Sequence, residues 1–315
     1  MILGEEAVKK LIEECEITET GISSHWVEML QEFEYKNEKF LGKGLPEGEG
    51  SSKKTIIHDL VHYLLQTPFR LQGAQFQEFK KILRTAKKIH EYRNNKMRIG
   101  TLRQVISLAF LEEQIKVNQL TEPVVIIGDG FGLMASLILS HFSKLAAKIV
   151  VVNLTQNLLI DAVFIKKSVP EVDIALVKDE KEYNKALKSD EIRCILIQAH
   201  NSKLLEKESI GLVINICSMQ EMNTNIIEEY FDSIRKSHNK KTYFYCVNRV
   251  EKILPDGTIV NFFKYPWHSQ DQVLIDELCP WQQKYYSIRP PFYFFYDGPI
   301  QHRLILFHKN DTVRL

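Results

Sequence analysis

No Cys-x-x-Cys pair occurs in this chain of 315 residues, whose five cysteines stand at 15, 194, 217, 246 and 279. That scatter excludes a paired redox motif and reads as buried free thiols in a reducing compartment. No stretch reaches the roughly 18 apolar residues that a spanning helix needs. Charge interrupts the apolar stripe of MILGEEAVKKLIEECE at the N-terminus, so no signal peptide is expected either. Net charge is only +1, which removes any global pull toward nucleic acid or a membrane surface and makes electrostatic function local. No internal repeat is present. The sequons at Asn153 and Asn310 carry no meaning for the cytoplasmic chain these absences suggest. What remains is ordinary for a globular protein, 44% hydrophobic and 26% charged. The length suits one large domain or two smaller ones with a sizeable core.

Residues 1–117 read as helical. Apolar residues recur at three- and four-residue spacing over 2–14 and 24–40. The Gly/Ser-rich stretch GKGLPEGEGSSKK (42–54) predicts an exposed loop or lid. TIIHDLVHYLLQTPF resumes a helix that should stop at Pro68. Phe79, Ile82, Leu83, Ala86 and Ile89 form a stripe, with Lys80, Lys81, Lys87, Lys88 and Arg93 opposite. From 118 to 315 strands and helices alternate. Strands are expected at 124–127, 148–153, 194–198, 212–217, 243–247, 293–296 and 304–308, and helices at 132–144, 155–167 and 223–237. This rhythm predicts an α/β, doubly wound and mostly parallel seven-stranded sheet behind a helical N-terminal region. The last segment, PPFYFFYDGPIQHRLILFHK, reads as an antiparallel hairpin at the sheet edge.

VVIIGDGFGLMASLI (124–138) places three glycines between a strand and a helix. Backbone N–H groups at such a turn attract polar ligands, and glycine lets a ligand approach closely. The spacing of Gly128, Gly130 and Gly132 is G-x-G-x-G. The dinucleotide fingerprint needs its third small residue where Leu133 stands, so an NAD site fits poorly. The tighter turn resembles that of class I S-adenosylmethionine (SAM) methyltransferases. On that resemblance Gly128, Asp129, Gly130, Phe131 and Gly132 are candidate cofactor contacts. A polar residue ending the second strand bonds ribose hydroxyls in such folds. Asn153 stands there, 21 positions after Gly132, with Leu154 next to it; Asn153 as a helix-cap residue is the alternative.

LVINICSMQEMNTNIIEEYF (212–231) follows a buried strand with a polar tip. Its SMQEM stretch resembles a family of sugar O-methyltransferases of bacterial glycan clusters. Tyr230–Phe231, the strand YFYCVNRV (243–250), VNLTQNLLIDAVFIKKS, YPWHS and PIQHRLILF carry the resemblance over roughly 120–308. It implies a Rossmann-like class I fold, SAM as cofactor, and a sugar or glycan hydroxyl as acceptor. Two positions depart from the family. Its turn reads E-I-G-G-G-[FY]-G, where this chain has Ile126 for Glu and Asp129 for the middle Gly; its second strand ends in Asp, where this chain has Asn153.

The resemblance and strand-end geometry nominate site residues. Glu221 and His268 are candidate bases for a weakly nucleophilic hydroxyl, with His200 a third candidate; capping of the next helix and an exposed loop are the competing roles of Glu221 and His268. Gln198, Ala199, Asn215 and Ser218 are placed with the cofactor. Gln220, Asn248, Arg249 and Arg303 are placed with the substrate, the arginines for their planar fork or as structural ion pairs. HDLVH (58–62) lacks the glutamate of a zinc protease motif, so no metal is expected. The basic face over 80–103 suits solvent or RNA phosphates. No Asn/Asp-Pro-Pro-aromatic tip and no Pro-Cys pair occurs, which argues against nucleic-acid methylation. The N-terminal helices would dimerise or close over a small-molecule or glycan substrate. A SAM-fold protein that binds without catalysis, or a methyltransferase on another small molecule or RNA, is the alternative.

Overall fold

The computed structural model describes residues 1–15, 21–36, 39–42, 56–93, 96–238 and 241–307, with the side chains of 56–59 left aside. The described residues form nine strands of one sheet: Ile2–Leu3 (β1), Val124–Ile127 (β2), Ile149–Asn153 (β3), Asp173–Val177 (β4), Ile192–Gln198 (β5), Leu212–Ile216 (β6), Tyr243–Arg249 (β7), Gln272–Leu278 (β8) and Ile300–Leu306 (β9). Their spatial order is β1-β4-β5-β3-β2-β6-β7-β9-β8. The six strands from β4 to β7 in that order are parallel. β1 and β9 run antiparallel to their neighbours, and β8 runs antiparallel to β9. From β2 the chain first builds outward through β3 and later returns to the other side at β6. That reversal opens a crevice above the carboxyl end of β2, where open α/β sheets bind ligands.

Among the described residues ten α-helices flank the sheet: Gly4–Glu14 (α1), Ser24–Leu30 (α2), Ile56–Leu65 (α3), Thr67–Ala74 (α4), Phe79–Tyr92 (α5), Ile99–Ile115 (α6), Leu133–His141 (α7), Thr155–Ser168 (α8), Glu180–Lys188 (α9) and Thr224–Lys236 (α10). Successive strand residues point to opposite faces, and two cores result. One holds Val124, Ile126, Ile149 and Val151 with α5 to α8; the other holds Val125, Ile127, Val150 and Val152 with α9 and α10. α7 and α8 lie between the sheet and the N-terminal helices, which explains why nearly all their residues are apolar or buried. α5 buries Phe79, Ile82, Ala86 and Ile89 and exposes Lys80, Lys81, Lys87 and Lys88. Arg93, expected on that exposed face, is instead buried at 4% exposure.

Several expectations are corrected. The sheet has nine strands rather than seven, because β1, β4 and β8 join it. β8 (QVLIDEL) mixes charge into an exposed edge. Tyr293–Phe295 does not enter the sheet; it pairs with Lys284–Tyr286 in a separate ladder. β9 therefore pairs with β7 and β8, not with a hairpin partner from 293–296. The N-terminal region is not wholly helical, since Glu34–Lys36 pairs with Lys39–Leu41. The helix before Pro68 ends at Leu65, and Pro68 itself sits in the first turn of α4, where its missing N–H is harmless. Most of the 42–54 stretch and the sequon at Asn310 lie outside the described residues. No helix among the described residues is long and apolar enough to cross a membrane.

A candidate ligand cleft at the glycine turn

The turn after β2 runs through left-handed backbone at Gly128, Gly130, Phe131 and Gly132, with φ of 70°, 58°, 71° and 56°. Two of the glycines are also required by packing. A Cβ on Gly128 would stand 2.0 Å from Ser218 Oγ, and one on Gly132 would stand 2.7 Å from the Asp161 backbone oxygen. Gly130 faces open space. Phe131 holds its left-handed conformation with its ring against Phe164, at 6.1 Å between centroids.

Beneath the turn lies a buried polar network. Asp129 accepts hydrogen bonds from Met134 N and Ala135 N, each at 2.8 Å, and so caps α7. Asp161 accepts from Gly132 N at 2.7 Å and from Asn153 Nδ2 at 2.8 Å. Asn153 Oδ1 accepts from Leu154 N at 3.0 Å. The Arg93 guanidinium donates to Gly132 O at 3.2 Å, Ser136 Oγ at 3.0 Å and Ser168 Oγ. Burial pushes Arg93 down to about 10 against the pull of the two carboxylates. Burial pushes both carboxyls up, and the neighbouring Asp129 charge raises Asp161 further. A raised carboxyl contributes stability that is fully present below the unfolded value near 3.8 and is lost as pH rises through the folded value. Asp161→Asn should therefore flatten the fall in stability between about pH 4 and pH 8. Urea titrations at several pH values check this; a wild-type slope retained in the variant would rule Asp161 out as its source.

The lip after β6 is braced rather than open. Asn215 donates to Ile127 O at 2.9 Å and accepts from Asn248 Nδ2 at 2.8 Å and Met219 N at 3.2 Å. Asn248 Oδ1 accepts from Gln220 N at 3.0 Å, and Gln220 Oε1 accepts from Arg249 N at 2.7 Å. This chain of side-chain amides fixes the path of 215–221. Cys217 takes φ of 59° at the bend, a conformation that non-glycine residues adopt only where surroundings impose it. Ser218 and Glu221 then reach the cavity. Glu221 meets Lys252 Nζ at 2.8 Å and His25 Nε2 at 3.5 Å. Burial pushes its carboxyl up, but His25 and Lys252 outweigh that and hold it below the ordinary range.

Turn and lip share one cavity of about 280 Å³, near the small end for ligand pockets. Its wall includes Gly128, Asp129, Gly130 and Phe131 from the turn, Asn153 and Leu154 from β3 and the residue after it, Ala199 after β5, and Ser218 and Glu221 from the lip. Asn157 and Ile160 of α8 and Ile226 and Tyr230 of α10 complete the sides. α2 supplies the roof through Trp26, Met29 and Leu30, preceded by Gly21, Ile22 and Ser23. It buries none of its own residues and is tied by polar contacts: Ser23 Oγ donates to Glu221 O at 2.5 Å, and Asn223 Nδ2 donates to Gly21 O at 3.2 Å.

Other expected site residues lie elsewhere. Gly132 is under the turn, packed on α8. Gln198 spends its amide on Glu14 and Thr155, each at 3.0 Å. Asn215, Gln220 and Asn248 are the brace, so their polar atoms face each other and the backbone. Arg249 lies beside the Tyr296 ring at 6.0 Å. Arg303 binds Asp276 and stacks 4.5 Å from Trp267. His268 is exposed on the loop beyond Trp267, outside the cavity wall, and its N–H is anchored on Asp271. The packing of Trp267 on Phe231 and Phe262 directs that loop away from the cleft. His200 is exposed too. His62, of the HDLVH motif, contacts the Tyr286 hydroxyl at 2.9 Å. Sequence reasoning missed Ser23, Trp26, Met29, Leu30, Asn157 and Cys217. The roof residues stand nearly 200 positions from the lip they meet, and no local pattern links the two.

No family model matches the chain, and no curated protein matches it. Solved structures do. A SAM-dependent methyltransferase from Anabaena variabilis superposes with TM-score 0.39 and 10% identity, covering 70% of this chain and 93% of that one. A SAM-dependent methyltransferase from Aquifex aeolicus gives TM-score 0.31 and 10% identity, covering 67% and 99%. An arsenic(III) SAM methyltransferase from Chlamydomonas reinhardtii gives TM-score 0.33 and 14% identity, covering 59% and 63%. The structures this chain is similar to thus include SAM-dependent methyltransferases, at a likeness that carries no substrate with it.

Proposed function

We propose that the cleft binds SAM and that the protein transfers the methyl group to a hydroxyl of a sugar or glycan. The observation that carries this is the shared cavity: the glycine turn after β2 and the lip after β6 face each other beneath the roof of α2. The residues present fit the cofactor. Gly130 leaves open space over the turn, Asn153 stands at the ribose position, and Leu154, Ile160 and Ile226 offer apolar walls for a purine. When bound, SAM supplies a sulfonium methyl of high intrinsic reactivity.

The chain's own residues then position and exclude. Trp26, Met29 and Leu30 keep water from the reacting groups. Ser218 and Glu221 bring a hydroxyl and an ionised carboxylate to the same space. Glu221 is placed to accept a hydrogen bond from an acceptor hydroxyl and to take its proton. The sugar class is supported by the resemblance in SMQEM and YFYCVNRV, whose Gln220 and Asn248 act here by shaping the lip. One observation favours a second reading, binding without catalysis: the Asn153 amide is already engaged by Asp161 and Leu154 N, which weakens its hold on a ribose.

Calorimetry with SAM followed by transfer of labelled methyl to a panel of sugars and glycans, with total RNA as the contrast, tests the proposal. Saturable SAM binding and label in a sugar are expected. Glu221→Gln should lower transfer at saturating SAM about a hundredfold. Absence of binding at millimolar SAM overturns the cofactor, and binding without transfer selects the second reading.

A further inference from the structure

A glycine turn running into a helix is a general phosphate cradle, because its N–H groups converge and the helix dipole favours negative charge. In this chain three of those donors are already taken. Met134 N and Ala135 N, in the first turn of α7, donate to the two Asp129 carboxylate oxygens at 2.8 Å each. Gly132 N donates to Asp161 at 2.7 Å. The Asp129 carboxylate thus holds the helix start against which a ligand phosphate would sit.

The rest of the cavity wall agrees. Among the described residues it contains Asp129 and Glu221 but no Lys, Arg or His. The nearby cations are committed elsewhere: Arg93 lies below the turn, bonded to Gly132 O, Ser136 and Ser168, and Lys252 pairs with Glu221 at 2.8 Å.

We infer that Asp129 is a specificity-determining residue that closes the glycine turn to phosphate-bearing nucleotides and leaves the cleft to a ligand of net positive charge. Naming that ligand as SAM, with its sulfonium and ammonium groups, rests on the proposed function; exclusion of anions does not. The Asp129 carboxylate attracts an ammonium or sulfonium, whereas it repels a phosphate and already occupies the Met134 and Ala135 N–H groups of the helix start.

The test titrates the full chain, as wild type, Asp129→Gly and Asp129→Asn, with SAM, ADP and pyrophosphate by calorimetry, alongside thermal melts. Asp129→Asn keeps an oxygen for the α7 cap and so guards against loss of fold. Wild type should show no saturable ADP or pyrophosphate binding at millimolar concentration. Asp129→Gly should gain at least about tenfold in ADP affinity, and Asp129→Asn should lose about tenfold in SAM affinity, the scale of one charge-assisted hydrogen bond. ADP binding by wild type as tight as that of SAM overturns the inference and leaves the cofactor reading standing. Gain of ADP binding by Asp129→Gly, with no SAM binding by wild type, supports anion exclusion and removes SAM. A folded Asp129→Gly that gains nothing shows that Asp129 is not the determinant.

Discussion

Gly132→Ala should lower unfolding free energy by about 2–5 kcal/mol, while Gly130→Ala, two residues away in the same turn, should lose only about 1–2 kcal/mol. Both positions have positive φ, 56° and 58°, so both alanines would strain the backbone. The variants differ in what the new methyl meets. At Gly132 it would come within 2.7 Å of the Asp161 backbone oxygen and of Ile165 Cγ1. α7 and α8 pack together at that point, and a backbone oxygen cannot swing aside as a side-chain tip can. At Gly130 nothing lies within 4 Å. Urea unfolding of the two variants checks the contrast. Equal losses would mean that conformation alone explains this turn and that the close approach of α8 has no energetic role.

Arg93→Met is expected to destabilise by about 3–5 kcal/mol, the range for removing one partner from a buried charged network. The guanidinium is 4% exposed, donates to three acceptors on α7, α8 and the turn, and lies 5.0 Å from the Phe164 ring. Methionine keeps the stem against that ring but removes the charge that offsets Asp129 and Asp161. Adding Asp161→Asn should restore part of the loss, because the remaining carboxylate is held by helix N–H groups. Thermal and urea unfolding of the single and double variants measures this coupling. A double variant no more stable than Arg93→Met would show that Arg93 acts through packing alone.

The glycine turn was legible because its chemistry is local. Three glycines between an apolar run and a helical stripe have few other uses, and they lie on the cavity wall or directly under it. The six parallel strands were mostly legible for a similar reason, since strands buried on both faces read as continuous Val/Ile/Leu runs. β4 and β8 were not; β8 is an exposed edge with mixed charge. The polar lip shows a different limit. Asn215, Gln220 and Asn248 are too polar for a simple core, and polarity at a strand tip suggested ligand contact. Their partners proved to be one another, because each buried amide must find its hydrogen bonds and the adjacent strands β6 and β7 supplied them.

Arg93 and Asp161 illustrate the same division. Arg93 follows a lysine-rich helix face and reads as one more solvated cation. Its burial depends on where α5 ends relative to the turn after β2. Glu221 lines the cavity, and its ionisation depends on Lys252 and on His25, which arrives with the roof. Composition and local pattern were thus enough to establish an α/β sheet, a glycine bend at a strand's carboxyl end and a carboxylate at the facing tip, since each is encoded within a dozen neighbouring residues. Which polar groups meet a ligand and which brace one another was settled by contacts such as Ser23 to Glu221, 198 positions apart. Burial and partner choice are properties of packed surfaces, and no segment carries them until its neighbours are in place.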